Sequence, residues 1–136
     1  MVEISFLDTN ILVYAFDPDQ VRHHSIARQL LRDAVNGNGA ISTQVLGEFA
    51  SVLLHKLKAQ PKAVSDALAA LESIRTVHMD GTLIRRAIEA HARYGVRFYD
   101  GLIIATAERA GCGRILSEDM NRGQKYFGIA VENPFA

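Results

Sequence analysis

Four carboxylates sit where a side chain could do chemistry: Asp8, Glu48, Asp100 and Asp119. Asp8 ends a short apolar run and opens the polar triplet Asp8-Thr9-Asn10, and Asp100 follows Val96-Arg97-Phe98-Tyr99 at the head of an apolar helical stretch. Asp119 lies two residues beyond the strand expected at 114–117, and Glu48 lies within a strongly apolar helix, flanked at helical spacing by Val45 and Val52. Each acid has a plain structural reading. An Asp ahead of a helix is ordinarily a cap, worth about 1 kcal/mol, and Asp119 alone reads first as a turn residue. Glu48 is either at a solvent boundary or partly buried with a partner, since an unpaired buried charge is heavily penalised.

Gathering such acids has a cost. Two like charges about 4 Å apart repel by roughly 1 kcal/mol in water and roughly 4 kcal/mol at an effective dielectric of 20. Proteins accept that cost to share a proton or to hold a hard cation. A donor set of oxygens, with no cysteine or clustered histidine, favours Mg²⁺ or Mn²⁺ over zinc. Mg²⁺ keeps waters and binds through a few carboxylates plus substrate phosphate, which points to cleavage of phosphate esters. Thr9, Asn10 and Ser117 stand beside these acids and could orient a carboxylate or a water, or could simply bond within their own turns.

The elements that must position these groups are legible as alternating strands and helices. Strands are expected at residues 2–7, 40–42, 75–79, 114–117 and 130–132. Helices are expected to open at Asp17-Pro18 and at Pro61, and to be capped by Thr43 and Asp80. Their inward stripes are Ile26, Ala27, Leu30, Leu31 and Ala34; Leu46, Phe49, Ala50, Leu53, Leu54 and Leu57; Val64, Leu68 and Leu71; Leu83, Ile84, Ala87 and Ile88; and Ile103, Ile104, Ala107 and Ala110. Asn36-Gly37-Asn38-Gly39 stops one helix, and Gly111 with Gly113 stops another. This pattern predicts one α/β domain over residues 1–136, with a mainly parallel central sheet flanked by helices. In such sheets ligands bind beyond the C-terminal strand ends, where Asp8, Asp100 and Asp119 can meet although far apart in sequence.

Composition narrows the class. The 136 residues suit one domain, and with 49% hydrophobic and 22% charged residues the chain can bury a core. No apolar run is long enough to span a membrane, and the first residues lack the basic region of a signal peptide. One cysteine, Cys112, rules out an internal disulfide framework and fits a reducing cytoplasm. Fifteen basic residues balance fifteen acidic ones, so nucleic-acid binding would need local basic patches. Arg93, Arg97, Arg122 and Lys125 flank the acidic segments and are candidate phosphate contacts; each alone reads first as solvated surface charge. His23 and His24 point about 100° apart on a helix, a poor chelating pair, and read as surface residues. Arg85-Arg86 reads as a solvated helix face. Leucine-rich residues 43–73 read as core, with excess apolar surface available to a partner.

Taken together, four segments resemble the PIN-domain family, in particular the VapC toxin ribonucleases of toxin–antitoxin pairs. They are Phe6-Leu7-Asp8-Thr9-Asn10-Ile11-Leu12-Val13-Tyr14, Gln44-Val45-Leu46-Gly47-Glu48-Phe49, Tyr99-Asp100-Gly101-Leu102-Ile103-Ile104-Ala105-Thr106-Ala107, and Leu116-Ser117-Glu118-Asp119-Met120 followed by Gly123, Tyr126, Gly128 and Asn133-Pro134-Phe135. Their order and their spread over nearly the whole chain make the resemblance specific. One departure is Arg122, where family members often carry an acid ahead of Gly123. The resemblance implies an endoribonuclease that uses one or two Mg²⁺ or Mn²⁺ ions, held directly or through water by Asp8, Glu48, Asp100 and Asp119. It also implies an RNA substrate, an antitoxin partner that fills the acidic groove, and a homodimer. A housekeeping RNA-processing nuclease would carry the same pattern, whereas the intact acidic set argues against a non-catalytic module that binds RNA or a protein partner. A phosphoryl-accepting receiver domain would need an acceptor Asp after a middle strand and a nearby Lys; Asp80 has no such Lys, and Glu48 would be left unexplained.

Overall fold

In the computed structural model, which describes residues 3–121 and 123–136, short apolar runs form the strands. They are β1 (Ser5–Leu7), β2 (Gly39–Ser42), β3 (Arg75–Val77), β4 (Arg114–Leu116), β5 (Lys125–Tyr126) and β6 (Ile129–Glu132), joined in one sheet of order β3-β2-β1-β4-β6-β5. Every neighbouring pair is parallel except β5 with β6. All residues of β1 and β2 are buried, and alternate strand residues point to opposite faces, so the sheet centre is covered on both sides. The covering helices are α1 (Thr9–Ala15), α2 (Val21–Asp33), α3 (Thr43–His55), α4 (Pro61–Ala70), α5 (Gly81–Tyr94) and α6 (Phe98–Arg109). This is the α/β architecture with a mainly parallel sheet that the sequence predicts.

The chain starts at β1, moves outward through β2 to β3, and then returns to the other side of β1 as β4. Strand order therefore reverses between β1 and β4, and the crevice at that reversal opens beyond their C-terminal ends. Asp8 leaves β1 at this point, and the segment Ser117-Glu118-Asp119 leaves β4 beside it.

Several boundaries differ from the sequence reading for local reasons. The first strand is Ser5–Leu7, with Val2 outside the described residues, and the third ends at Val77 instead of residue 79. The polar triplet after β1 is the first turn of α1, because Ile11, Leu12 and Ala15 bury an inward face that the turn-like residues masked. Asp17-Pro18 forms a turn, with the Asp19 amide donating to Asp17 Oδ1 at 3.2 Å, and α2 begins only at Val21. Ser42 caps α3 by accepting from the Val45 amide, whereas Thr43 Oγ1 accepts from the Met79 amide. Asp80 caps α5 and Pro61 opens α4 as expected. On α5, Leu83, Ala87 and Ala90 face inward, while Ile84 and Ile88 are 43% and 54% exposed. β5 is only two residues long and was too short to signal itself.

Candidate acidic site

Asp8, Glu48, Asp100 and Asp119, drawn from three helix starts or bodies and one strand-end loop, line a single depression of about 530 Å³. Asp8 is the innermost, with 9% of its surface exposed. It both caps α1 and faces the depression. Its Oδ1 accepts from the Thr9 amide at 2.8 Å and its Oδ2 accepts from the Ser117 hydroxyl at 2.7 Å. Burial pushes its carboxyl up to about 6 despite those two bonds, and the negative charges of Glu48 and Asp100 add to the rise.

The three residues Asp8, Thr9 and Asn10 each reach a different part of the crevice. Thr9 Oγ1 donates to Glu48 Oε2 at 2.7 Å, and Asn10 Nδ2 donates to Asp119 Oδ2 at 3.0 Å. Ser117 is fully buried and uses its whole hydrogen-bonding capacity: it donates to Asp8 and accepts from the Asp119 and Met120 amides at 3.2 Å each. Thr9, Asn10 and Ser117 thus bond to the acids themselves and not merely within their own turns.

Glu48 lies on the exposed face of α3, at the solvent boundary, and not partly buried. Its second partner is Gln44 Nε2, at 3.0 Å one turn earlier. Gln44 was not singled out from the sequence, although its spacing of four from Glu48 is the signal for such a pair. Gln44 Oε1 is buried without a hydrogen-bond donor. Asp100 lies in the first turn of α6, where the helix N-terminus favours a carboxylate. Its carboxyl is raised by burial, held back by Arg97, and raised further by Asp119 and Glu48. Gly101 lets α6 approach α5 closely enough to set Asp100 in place; a Cβ there would meet the Ala87 carbonyl oxygen at 2.7 Å.

Arg97 also lines the depression, with its Nε 3.8 Å from Asp100 Oδ2. Arg93 is placed elsewhere, its guanidinium 5.4 Å from the Tyr94 ring centre and 5.6 Å from that of Phe127. Lys125 is exposed at the start of β5, and Arg122 lies outside the described residues. The histidines correct the sequence reading: His23 Nε2 is 2.9 Å from Glu118 Oε2, and His24 Nδ1 is 2.9 Å from the Tyr14 carbonyl. No local signal marks these contacts, since Tyr14 and His23 lie about a hundred residues from Glu118. Arg86, expected on a solvated face, makes two bonds to Glu108 and stacks its guanidinium 3.6 Å from the Phe127 ring centre. Asp80 follows the edge strand β3 and is tied to Arg109 and the Leu83 amide, far from an acceptor after a middle strand. Among the described residues, no three His, Cys, Asp or Glu side chains form a compact group around one point.

The PIN-domain family model matches residues 5–125, which takes in all four acids. The chain belongs to the PIN-domain family. No curated protein matches it. Solved structures do. The fold of this PIN domain is similar to the sarcin-ricin loop cleaving toxin VapC20 of Mycobacterium tuberculosis, with TM-score 0.66 and 23% identity over 82% of this chain and 86% of that one. A toxin–antitoxin complex from Klebsiella pneumoniae gives TM-score 0.71 and 20% identity over 96% and 97% of the two chains. VapBC2 of Rickettsia felis, bound to a promoter DNA fragment, gives TM-score 0.68 and 19% identity over 96% and 98%. At these identities the likeness establishes the shared fold. No helix among the described residues is long and apolar enough to cross a membrane.

Proposed function

We propose that this PIN domain is a Mg²⁺- or Mn²⁺-dependent endoribonuclease and the toxin of a toxin–antitoxin pair. The observation that carries this reading is the acidic depression: four carboxylates around one crevice, two of them with carboxyls raised by burial and mutual repulsion. Such a set is costly without a cation, and its all-oxygen chemistry fits a hard divalent ion that keeps part of its water shell. Asp8, Asp100, Glu48 and Asp119 would hold the ion, directly or through water. When bound, the ion supplies an acidified water at neutral pH and stabilises charge building on the phosphate.

The chain's own residues account for the rest. Thr9, Gln44, Asn10 and Ser117 hold the side chains of Asp8, Glu48 and Asp119 through the bonds described above, so that little reorganisation is needed at reaction. Arg97, at the rim beside Asp100, binds an RNA phosphate, and Lys125, exposed at the start of β5, is a further candidate contact.

A protein partner is supported by an apolar groove of about 320 Å³ that Phe16, Leu53, Leu57, Ala59, Ala63 and Ala67 help to line. The toxin–antitoxin complexes among the similar folds support an antitoxin as that partner. The exposed Ile84 and Ile88 on α5 support self-association as a homodimer. Cytoplasmic RNA is the expected target.

Cleavage of single-stranded RNA in Mg²⁺ or Mn²⁺ tests the assignment. Asp8→Asn, Glu48→Gln and Asp100→Asn should each lower kcat by about a hundredfold or more while leaving a folded domain. Activity at the unsubstituted level in all three would remove the mechanism. A short antitoxin reading frame beside the gene, and growth arrest on expression, would separate a toxin from an RNA-processing enzyme.

A further inference from the structure

Two acids follow Ser117 in succession, and they are held by different partners. Asp119 lines the acidic depression, held by Asn10 Nδ2. Glu118 lines an adjoining cavity of about 870 Å³ that also takes in Thr9, Asn10, Glu48 and Asp119, and there Tyr14 Oη donates to its Oε1 at 2.6 Å while His23 Nε2 lies 2.9 Å from its Oε2. Both carboxylate oxygens are therefore engaged by α1 and α2.

This clamp is itself braced. The His23 ring stacks on Phe135 with centres 4.5 Å apart, and Tyr14 meets Phe135 edge-on at 5.1 Å. Arg22 Nη1 donates to the Phe135 carbonyl at 2.6 Å. A second load path runs through the backbone, since the Glu118 amide donates to Asn10 Oδ1 at 3.2 Å. The loop that carries Asp119 has no regular secondary structure between β4 and residue 121, so its course is set by these side-chain bonds and by Ser117.

We propose that Glu118 is a positioning residue: clamped by Tyr14 and His23, it fixes the loop from which Asp119 reaches the acidic depression. Hydrogen bonds to an ionised acceptor are the short, strong kind, and the Tyr14–Glu118 bond has that length. The Tyr14 hydroxyl is correspondingly hard to ionise, pushed up to about 12 chiefly by this bond.

The proposal rests on the reading of Asp119 as a member of the acidic set. It is tested with Glu118→Gln, Tyr14→Phe, their combination and Asp119→Asn, with Mn²⁺ as the probe. Calorimetric titration of Mn²⁺ into RNA-free protein, well below the melting temperature of each variant, is paired with RNA cleavage kinetics. Glu118→Gln and Tyr14→Phe should each weaken Mn²⁺ binding about tenfold, as losses among groups that orient metal ligands typically do. They should lower kcat with KM for RNA unchanged, and the double variant should be no worse than Glu118→Gln alone. A purely structural clamp would lower thermal stability and leave Mn²⁺ affinity untouched, which would overturn the proposal. Asp119→Asn with undiminished Mn²⁺ affinity and kcat would also overturn it, while leaving the nuclease assignment intact. Failure of the unsubstituted protein to bind Mn²⁺ and to cleave RNA would instead remove the assignment on which the proposal stands.

Discussion

Asp8 sets the terms at the residue scale, because its carboxylate is almost wholly withdrawn from water. A carboxyl that titrates near 6 in the folded chain and near 3.8 unfolded costs the native state about 3 kcal/mol at neutral pH. The sign follows from proton binding. The folded form holds its proton more tightly, so the favourable contribution is complete below about pH 3.8 and is lost as pH rises through about 6. Asp8→Asn removes that dependence. In chelator-treated protein the variant should melt higher than the parent at pH 8 by about 1–2 kcal/mol of stability, the gain being reduced because the Ser117 bond must be remade with a neutral amide. Near pH 4.5 the two should converge. Thermal denaturation at both pH values checks this, and a parent that is the more stable at pH 8 would contradict the cost assigned to Asp8. The same change should abolish cleavage, making the inactive chain the sturdier one.

At the scale of elements, the contact between α5 and α6 carries the position of Asp100. Gly101→Ala would drive a methyl group against the Ala87 carbonyl and push the helices apart. The gain in helix propensity, up to about 1 kcal/mol, opposes an overpacking cost of about 1–3 kcal/mol, so a net loss of about 1 kcal/mol is expected. Circular dichroism melting measures it, and kcat should fall further than stability alone explains because Asp100 moves with its helix. Asp8, Asp100 and Asp119 were legible as candidates because each stands beside a strand end or a helix start, where apolar periodicity breaks, and Glu48 because it interrupts an apolar helix. The helix stripes were legible wherever burial and spacing agree, as in Phe49 and Leu53. They failed at Ile84 and Ile88, since periodicity reports apolar residues and not which of them the neighbouring helix reaches. The helix α1 was hidden because Asp8-Thr9-Asn10 has turn chemistry, and those same side chains are spent on long-range bonds. The Tyr14–His23–Glu118 clamp left no trace in sequence, for it joins residues that only the return of β4 beside β1 brings together.

At the scale of the whole molecule, the reversal of strand order collects the acids into one crevice, and the resulting repulsion is borne by the fold. A divalent ion that binds only the native state stabilises it by mass action, by about 2.7 kcal/mol at a concentration a hundred times its dissociation constant. Melting temperature should therefore rise with Mn²⁺ concentration at pH 7.5. The rise should shrink strongly in Asp100→Asn and should be small at pH 5, where protons compete for Asp8 and Asp100, both with raised carboxyls. Differential scanning calorimetry across a Mn²⁺ series measures it, and an equal rise in Asp100→Asn would place the ion elsewhere.

The first turn of α1 has one more consequence. Asp8, Thr9 and Asn10 are consecutive, and each bonds to a different side chain: Ser117, Glu48 and Asp119. Thr9 and Asn10 are successive helical residues turned by about 100°, and Asp8 is the extended cap just ahead of them, so the three directions depend on where the helix starts. Substitution at one of the three disturbs one connection. Insertion or deletion of a single residue between β1 and α1 would rotate the downstream partners out of phase together. Length, more than identity, is what this junction cannot vary.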